Sequence, residues 1–150
     1  MLKKIGFIAF FGLLTLALAP ALSAQELVDL DKVKTEDLNK EGPLTQKDFD
    51  VYLQFFVMSA ESVKKEMEKA DKADPQTAMA AAVSEFVKTN KLTATRLRYI
   101  LEKVTMAIQV SNSPDQPPAQ PEQPYLAISP AEAELAKTNT PKIISLLGQR

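Results

Sequence analysis

The side chains that most often perform chemistry are missing from this chain. Its 150 residues contain no histidine, no cysteine and no tryptophan. That removes imidazole acid–base catalysis, thiolate nucleophiles and the usual zinc and copper ligand sets. Four glycines, two of them (Gly6 and Gly12) in an apolar leader, do not make a phosphate-cradling loop, and no Gly-x-Ser-x-Gly elbow occurs. Carboxylates and cations are what is left. Asp48 and Asp50 stand two apart and point to different sides of a helix. Asp29 and Asp31, in "DLDKVKTED", lack the glycine and ligand order of a calcium loop. Neither pair comes with a matching base or nucleophile, so the expectation is capping and surface roles, with no catalytic residue, no metal and no cofactor.

Two stretches offer binding rather than catalysis. In "TRLRYILEK", Arg96, Arg98 and Lys103 lie around Tyr99, a candidate contact for a small anion or an acidic peptide. A solvated charged face gives the same pattern. The second stretch is "VYLQFFVM". With Phe49 as zero and a turn of about 100° per residue, Phe49, Tyr52, Leu53, Phe56, Ala60, Val63 and Met67 form one stripe, within roughly 60° of it. Val51, Phe55 and Met58 fall near roughly 200°, 240° and 180°, on the side where a surface helix is normally polar. Val51, Phe55 and Met58 are therefore the candidate partner-binding residues. The alternatives are a central helix covered on that side by the chain's own tail or amino-terminal arm, or a helix that meets a copy of itself.

The elements that must position these residues follow from local signals. Thr45, Asp74 with Pro75, and Thr93 each suit a helix start, and Asn90 and Ser111–Pro114 suit helix ends. The spacing predicts three helices, after Thr45, from Pro75 and after Thr93. Leu44-Thr45 followed by Phe49, and Leu92-Thr93 followed by Leu97, repeat one pattern. A hydrophobic staple explains both, because the residue before the cap packs on the fourth helical residue. Asp48 then suits the positive end of its helix, whereas Arg96, at the matching place, does not. These two starts resemble the Leu-Thr-x-x-Gln motif of exported helical chaperones of the bacterial envelope stress response. The glutamine position holds Asp48 and Arg96 here, the match stops at two residues each, and no family is assigned on it.

From Pro114 to Pro130 the chain holds six of its ten prolines, the composition of an extended linker. Ser129-Pro130-Ala131-Glu132 reads as a capping box that opens a tail, Thr140-Pro141 punctuates it, and "KIISLLGQR" ends it in an apolar turn too short to be stable undocked.

The amino terminus sets the compartment. Lys3 and Lys4 precede an uncharged run that Pro20 breaks just before "ALSA", the layout of a secretory signal peptide cut after Ala24. Without Lys3 and Lys4, 16 basic residues face 19 acidic ones, which gives no positive surface for nucleic acid. No membrane span is expected after that cut.

The organisation read from these signals is a signal peptide over 1–24, an arm over 25–43, a helical domain over 44–112, a Pro-rich linker over 113–129 and a helical tail over 130–150. The expected fold is all-α, a small three-helix up-down bundle with the tail packed back on it. The expected function is an exported non-enzymatic protein, periplasmic or secreted, that binds an envelope protein or an unfolded chain through the Val51/Phe55/Met58 face. The alternatives are a small apolar-ligand carrier and a purely structural or self-associating helical protein.

Overall fold

The structure, a computed structural model, describes residues 27–69, 74–113 and 123–148. The signal-peptide reading and the linker prolines from Pro114 to Pro121 lie outside these residues. Within them the elements are a 3-10 turn at Leu30–Lys32, α1 (Thr35–Leu38), α2 (Gln46–Met67), α3 (Pro75–Thr89), α4 (Ala94–Asn112), a second 3-10 turn at Pro124–Leu126 and α5 (Pro130–Gly148). The described residues contain no strand. The fold is an all-α bundle.

Each long helix starts where its cap requires. Thr45 and Asp48 form a reciprocal capping box, Asp74 accepts from the Thr77 N–H ahead of Pro75, and Thr93 accepts from the Arg96 N–H. Between α3 and α4, Lys91 takes a left-handed φ of 53°. The Leu92 N–H reaches back to the Val87 carbonyl at 2.9 Å, the Schellman closure normally given to glycine. The short connections make α2, α3 and α4 an up-down-up unit. Phe55, near the middle of α2, meets Phe86, late in α3, edge-on at 5.4 Å, as an antiparallel hairpin requires. Asp48 reaches Arg96 and Tyr52 reaches Thr105, so α2 and α4 run the same way.

The buried side of α2 is turned from the stripe the spacing picks out. Its buried residues are Asp48, Phe49, Val51, Tyr52, Phe55, Ser59 and Glu66, centred about 90° from Phe49 on the helical wheel. Leu53, Phe56, Ala60 and Val63 are only half-buried, and Met67 is 66% exposed. Val51 and Phe55 therefore do not form a free second face. The edge-on aromatic contact with Phe86 places α3 over Phe55. Met58, expected beside them, is half-buried.

α4 is enclosed more completely than α2. Leu97, Tyr99, Ile100, Leu101, Lys103, Val104 and Ala107 are all buried, an arc of about 200°. The bundle covers one side of this arc, and α5, the arm and the Pro124–Leu126 turn cover the rest. The Pro141 break is also corrected, since α5 runs through Pro141 to Gly148. Proline there removes the N–H that would reach the Lys137 carbonyl. Just before it, the Thr140 hydroxyl donates to the Ala136 carbonyl at 2.7 Å and the Asn139 amide to the Leu135 carbonyl at 2.8 Å. These side-chain bonds to the preceding turn support the helix where the backbone ladder is interrupted.

Candidate functional site

The polar face of α4 is where three separate segments are fastened. The first is the arm. Arg98 donates from Nη1 to the carbonyls of Leu30 (3.2 Å) and Val33 (2.9 Å), and from Nε to Glu102 at 2.7 Å. Tyr99, 1% exposed, donates its hydroxyl to the Gly42 carbonyl at 2.7 Å. Upstream, the Val28 N–H donates to Ser84 of α3 at 2.7 Å. The arm thus crosses from α3 onto α4, and Leu38 in its one helical turn is fully buried.

The second fastening joins the two capped helix starts. Arg96 Nη2 pairs with Asp48 at 2.8 Å and Nη1 with Glu41 at 2.9 Å. Asp48 also accepts from the Thr45 N–H and hydroxyl, both at 2.8 Å. The third-position residues of the two repeated starts are therefore partners of each other. An arginine that is unfavourable at the start of its own helix neutralises the buried aspartate at the start of its neighbour.

The third fastening is the carboxy-terminal segment. Tyr125, in the turn before α5, is buried. Its N–H donates to Asn39 at 3.1 Å and its hydroxyl donates to Glu102. Burial and the Glu102 carboxylate push the Tyr125 phenol well above its usual value. Glu132 closes its capping box with Ser129 through Oε2. Its Oε1 accepts from the Leu44 N–H and from Lys103 Nζ, each at 2.9 Å. The two charged side chains of that pair are 9% and 4% exposed. Burial works to raise the Glu132 carboxyl, but the Leu44 and Ser129 N–H groups, the Lys103 ammonium and the Ser129 hydroxyl outweigh it and hold it below its ordinary value. Two residues before Pro141, Asn139 and Gln46 exchange two amide hydrogen bonds, at 2.9 and 3.0 Å.

Arg96, Arg98 and Lys103 therefore do not form the exposed cationic face expected of them. Their positions on α4 carry them into intramolecular pairs, and the anions they contact are the chain's own Glu41, Asp48, Glu102 and Glu132. Arg96 and Lys103 lie 5.1 and 5.3 Å from the Tyr99 ring centroid, so the ring is bracketed by cations from one turn before and one turn after. Reasoning from sequence missed Glu41, Glu102, Glu132, Tyr125 and Asn139 as partners. The one available signal was the arginine in the first turn of α4, a position that calls for a nearby acid. Asp50, by contrast, is exposed and accepts from the Gln46 amide at 3.2 Å. Among the described residues no group of three carboxylates converges to hold a metal ion, and no helix is long and apolar enough to cross a membrane.

The arrangement is suited to holding segments together, and every cation in it already has a counter-ion. Among the described residues, the large apolar side chains left exposed are elsewhere: Leu27 (51%), Met67 (66%), Ile144 (60%) and Leu146 (41%). The two in α5 flank the buried Ile143 on either side. Comparison with family models, with curated proteins and with solved structures finds no match in any of the three.

Proposed function

We propose that this is an exported, non-enzymatic helical protein that binds an envelope protein or an unfolded chain, and that it does so through the carboxy-terminal end of α5. The supporting observation is the distribution of apolar surface. Phe55 and Val51 are 6% and 5% exposed, whereas Ile144 and Leu146 stand 60% and 41% open within three residues of each other. The sequence without histidine or cysteine, and carboxylates already engaged in caps and ion pairs, favour binding over catalysis. The basic, apolar and small-residue order of Met1–Ala24 supports export to the periplasm or beyond. A carrier for small apolar ligands has less support. Phe55 against Phe86 at 5.4 Å fills space between α2 and α3 that such a ligand needs.

The test uses a labelled, reduced and alkylated α-lactalbumin, which stays unfolded, titrated with the exported protein by fluorescence anisotropy. Ile144→Ser with Leu146→Ser should weaken binding about tenfold or more, the equivalent of about 1.4 kcal/mol or more of lost apolar contact. The thermal midpoint should be unchanged, because both side chains are exposed. Equal affinity for the double variant and the wild type overturns the assignment of the surface.

A further inference from the structure

The arm and the carboxy-terminal segment meet on α4, and they are fastened to it by shared side chains. Glu102 accepts from Arg98, which holds the arm through the Leu30 and Val33 carbonyls, and also from the Tyr125 hydroxyl of the tail. Tyr99 donates to the Gly42 carbonyl of the arm, and its ring centroid lies 6.3 Å from that of Tyr125. The two segments also touch directly. The Tyr125 N–H donates to Asn39 at 3.1 Å, and the Leu44 N–H donates to Glu132 at 2.9 Å. Neither segment can leave α4 with its neighbour's contacts intact. The apolar side chains that the two segments bury are few: Leu30, Leu38, Leu44, Tyr125, Ala136 and Ile143.

Each ionic fastening ends on a carboxylate that is met by donors. Glu132 faces Lys103 of α4, the Leu44 N–H of the arm, and the Ser129 N–H and hydroxyl of its own helix start. α2 meets α5 through the uncharged Gln46–Asn139 pair. Glu102 faces Arg98 and the Tyr125 hydroxyl, and Glu41 and Asp48 both face Arg96. A protonated carboxyl is itself a donor. Protonation therefore sets donor against donor and strands Arg96, Arg98 and Lys103 on one helix, with Lys103 only 9% exposed. The bundle is held differently. α3 packs on α2, and α2 on α4, with Phe49, Tyr52, Phe55, Phe86, Leu97 and Ile100 buried; beside the Asp48–Arg96 pair, α2 and α4 share the uncharged Tyr52–Thr105 hydrogen bond.

We propose that residues 30–44 and 125–148 form a single strap across α4, which opens as one unit on acidification while the α2–α3–α4 bundle stays folded. Opening uncovers the side of α4 around Tyr99 and Lys103. Glu132 sets the window. Its carboxyl lies below the ordinary value of 4.5 in the folded protein, so the stability it contributes is present above pH 4.5 and is lost as pH falls through the folded value. The inference goes beyond the proposed binding and is tested without a partner.

Amide exchange of the full-length exported chain is followed from about pH 7 to about pH 2.5, with intrinsic rates corrected at each pH. Protection at 30–44 and 125–143 should fall about tenfold or more at one shared midpoint below pH 4.5, while 49–59 and 83–87 keep theirs. Two mild variants test the coupling. Leu38→Val loosens the arm, where Leu38 is fully buried, and Asn139→Ala removes a tail contact made to Gln46 of α2. Each should move the midpoints of both segments to higher pH by the same amount. Separate midpoints for the two segments overturn the inference, as does a variant that moves only its own segment. Loss of protection across the bundle at the same pH, or a strap still protected at about pH 2.5, overturns it as well. The wild-type titration alone reads three of these four outcomes, so a variant that fails to fold still leaves the inference decided.

Discussion

Replacing Lys103 by methionine tests the pairing that fastens the tail. Methionine keeps most of the volume and the apolar stem of lysine but leaves Glu132 without its ammonium partner at 2.9 Å, with 4% of its side chain exposed. Removing one member of a buried pair strands the other charge and costs about 3–5 kcal/mol. The Leu44 and Ser129 N–H groups still solvate the carboxylate, so the lower end of that range applies, about 3 kcal/mol, or roughly a 150-fold change in the docking equilibrium. Glu132→Leu alone strands the lysine and the Leu44 N–H and should cost at least as much. The double variant Lys103→Met/Glu132→Leu leaves no stranded charge, so the sum of the single losses should exceed the loss in the double by about 2 kcal/mol or more. Urea unfolding at pH 7 followed by far-ultraviolet circular dichroism gives the global term, and amide exchange at 133–143 gives the docking term. A Lys103→Met variant within about 0.5 kcal/mol of wild type in both, the range of ordinary surface changes, refutes the claim that this pair holds the tail.

The same pair fixes an acid limit. The Glu132 carboxyl is held below its ordinary value of 4.5 in the folded state, so it contributes stability above pH 4.5 that is lost as pH falls through the lowered folded value. Exchange protection at 133–143 should drop in that range, and Glu132→Gln should flatten the dependence. Asp48→Ala removes the capping partner of Thr45 and the counter-ion of Arg96 and should cost about 1.5–3 kcal/mol in urea melts, whereas the exposed Asp50→Ala should stay within about 0.5 kcal/mol. Phe55→Ala opens the α2–α3 contact with Phe86 and should cost about 3–5 kcal/mol, far more than a partner-facing residue would. Lys91→Gly relieves a left-handed φ of 53° and should raise stability by about 0.5–1 kcal/mol. Pro141→Ala restores a backbone donor to α5, and slower exchange at 143–147 is the expected result.

Helix starts were legible because caps are local. Thr45 with Asp48, Asp74 with Pro75, and Ser129 with Glu132 each close hydrogen bonds within three residues, so the residues that decide them stand side by side in sequence. The rotation of α2 was not legible. A hydrophobic count follows Leu53, Phe56 and Val63, but the deepest line of the helix includes Asp48, Ser59 and Glu66, polar residues that such a count scores as surface. Their burial is possible because each has a partner: Ser59 donates to the Phe56 carbonyl and Glu66 pairs with Lys69. The fastenings on α4 were hidden for a different reason. Asp48 and Arg96 are 48 residues apart and Leu44 and Glu132 are 88 apart, and a charge pattern on one helix does not reveal which distant carboxylate meets it. Val51 and Phe55 illustrate both points. The anomaly that "VYLQFFVM" presents is real, and its cause is a helix buried on an unexpected side.

Amide exchange mapped across the chain, with and without the unfolded α-lactalbumin probe, tests the central claim most directly. If Val51 and Phe55 are core residues, as their burial and the Phe55–Phe86 contact indicate, and the contact surface is the end of α5, amides 51–58 exchange only through global unfolding and do not respond to the probe. The change on binding is then confined to 142–148. Rapid exchange at 51–58 in the free protein, or protection gained there on binding, contradicts the account and returns the binding face to α2.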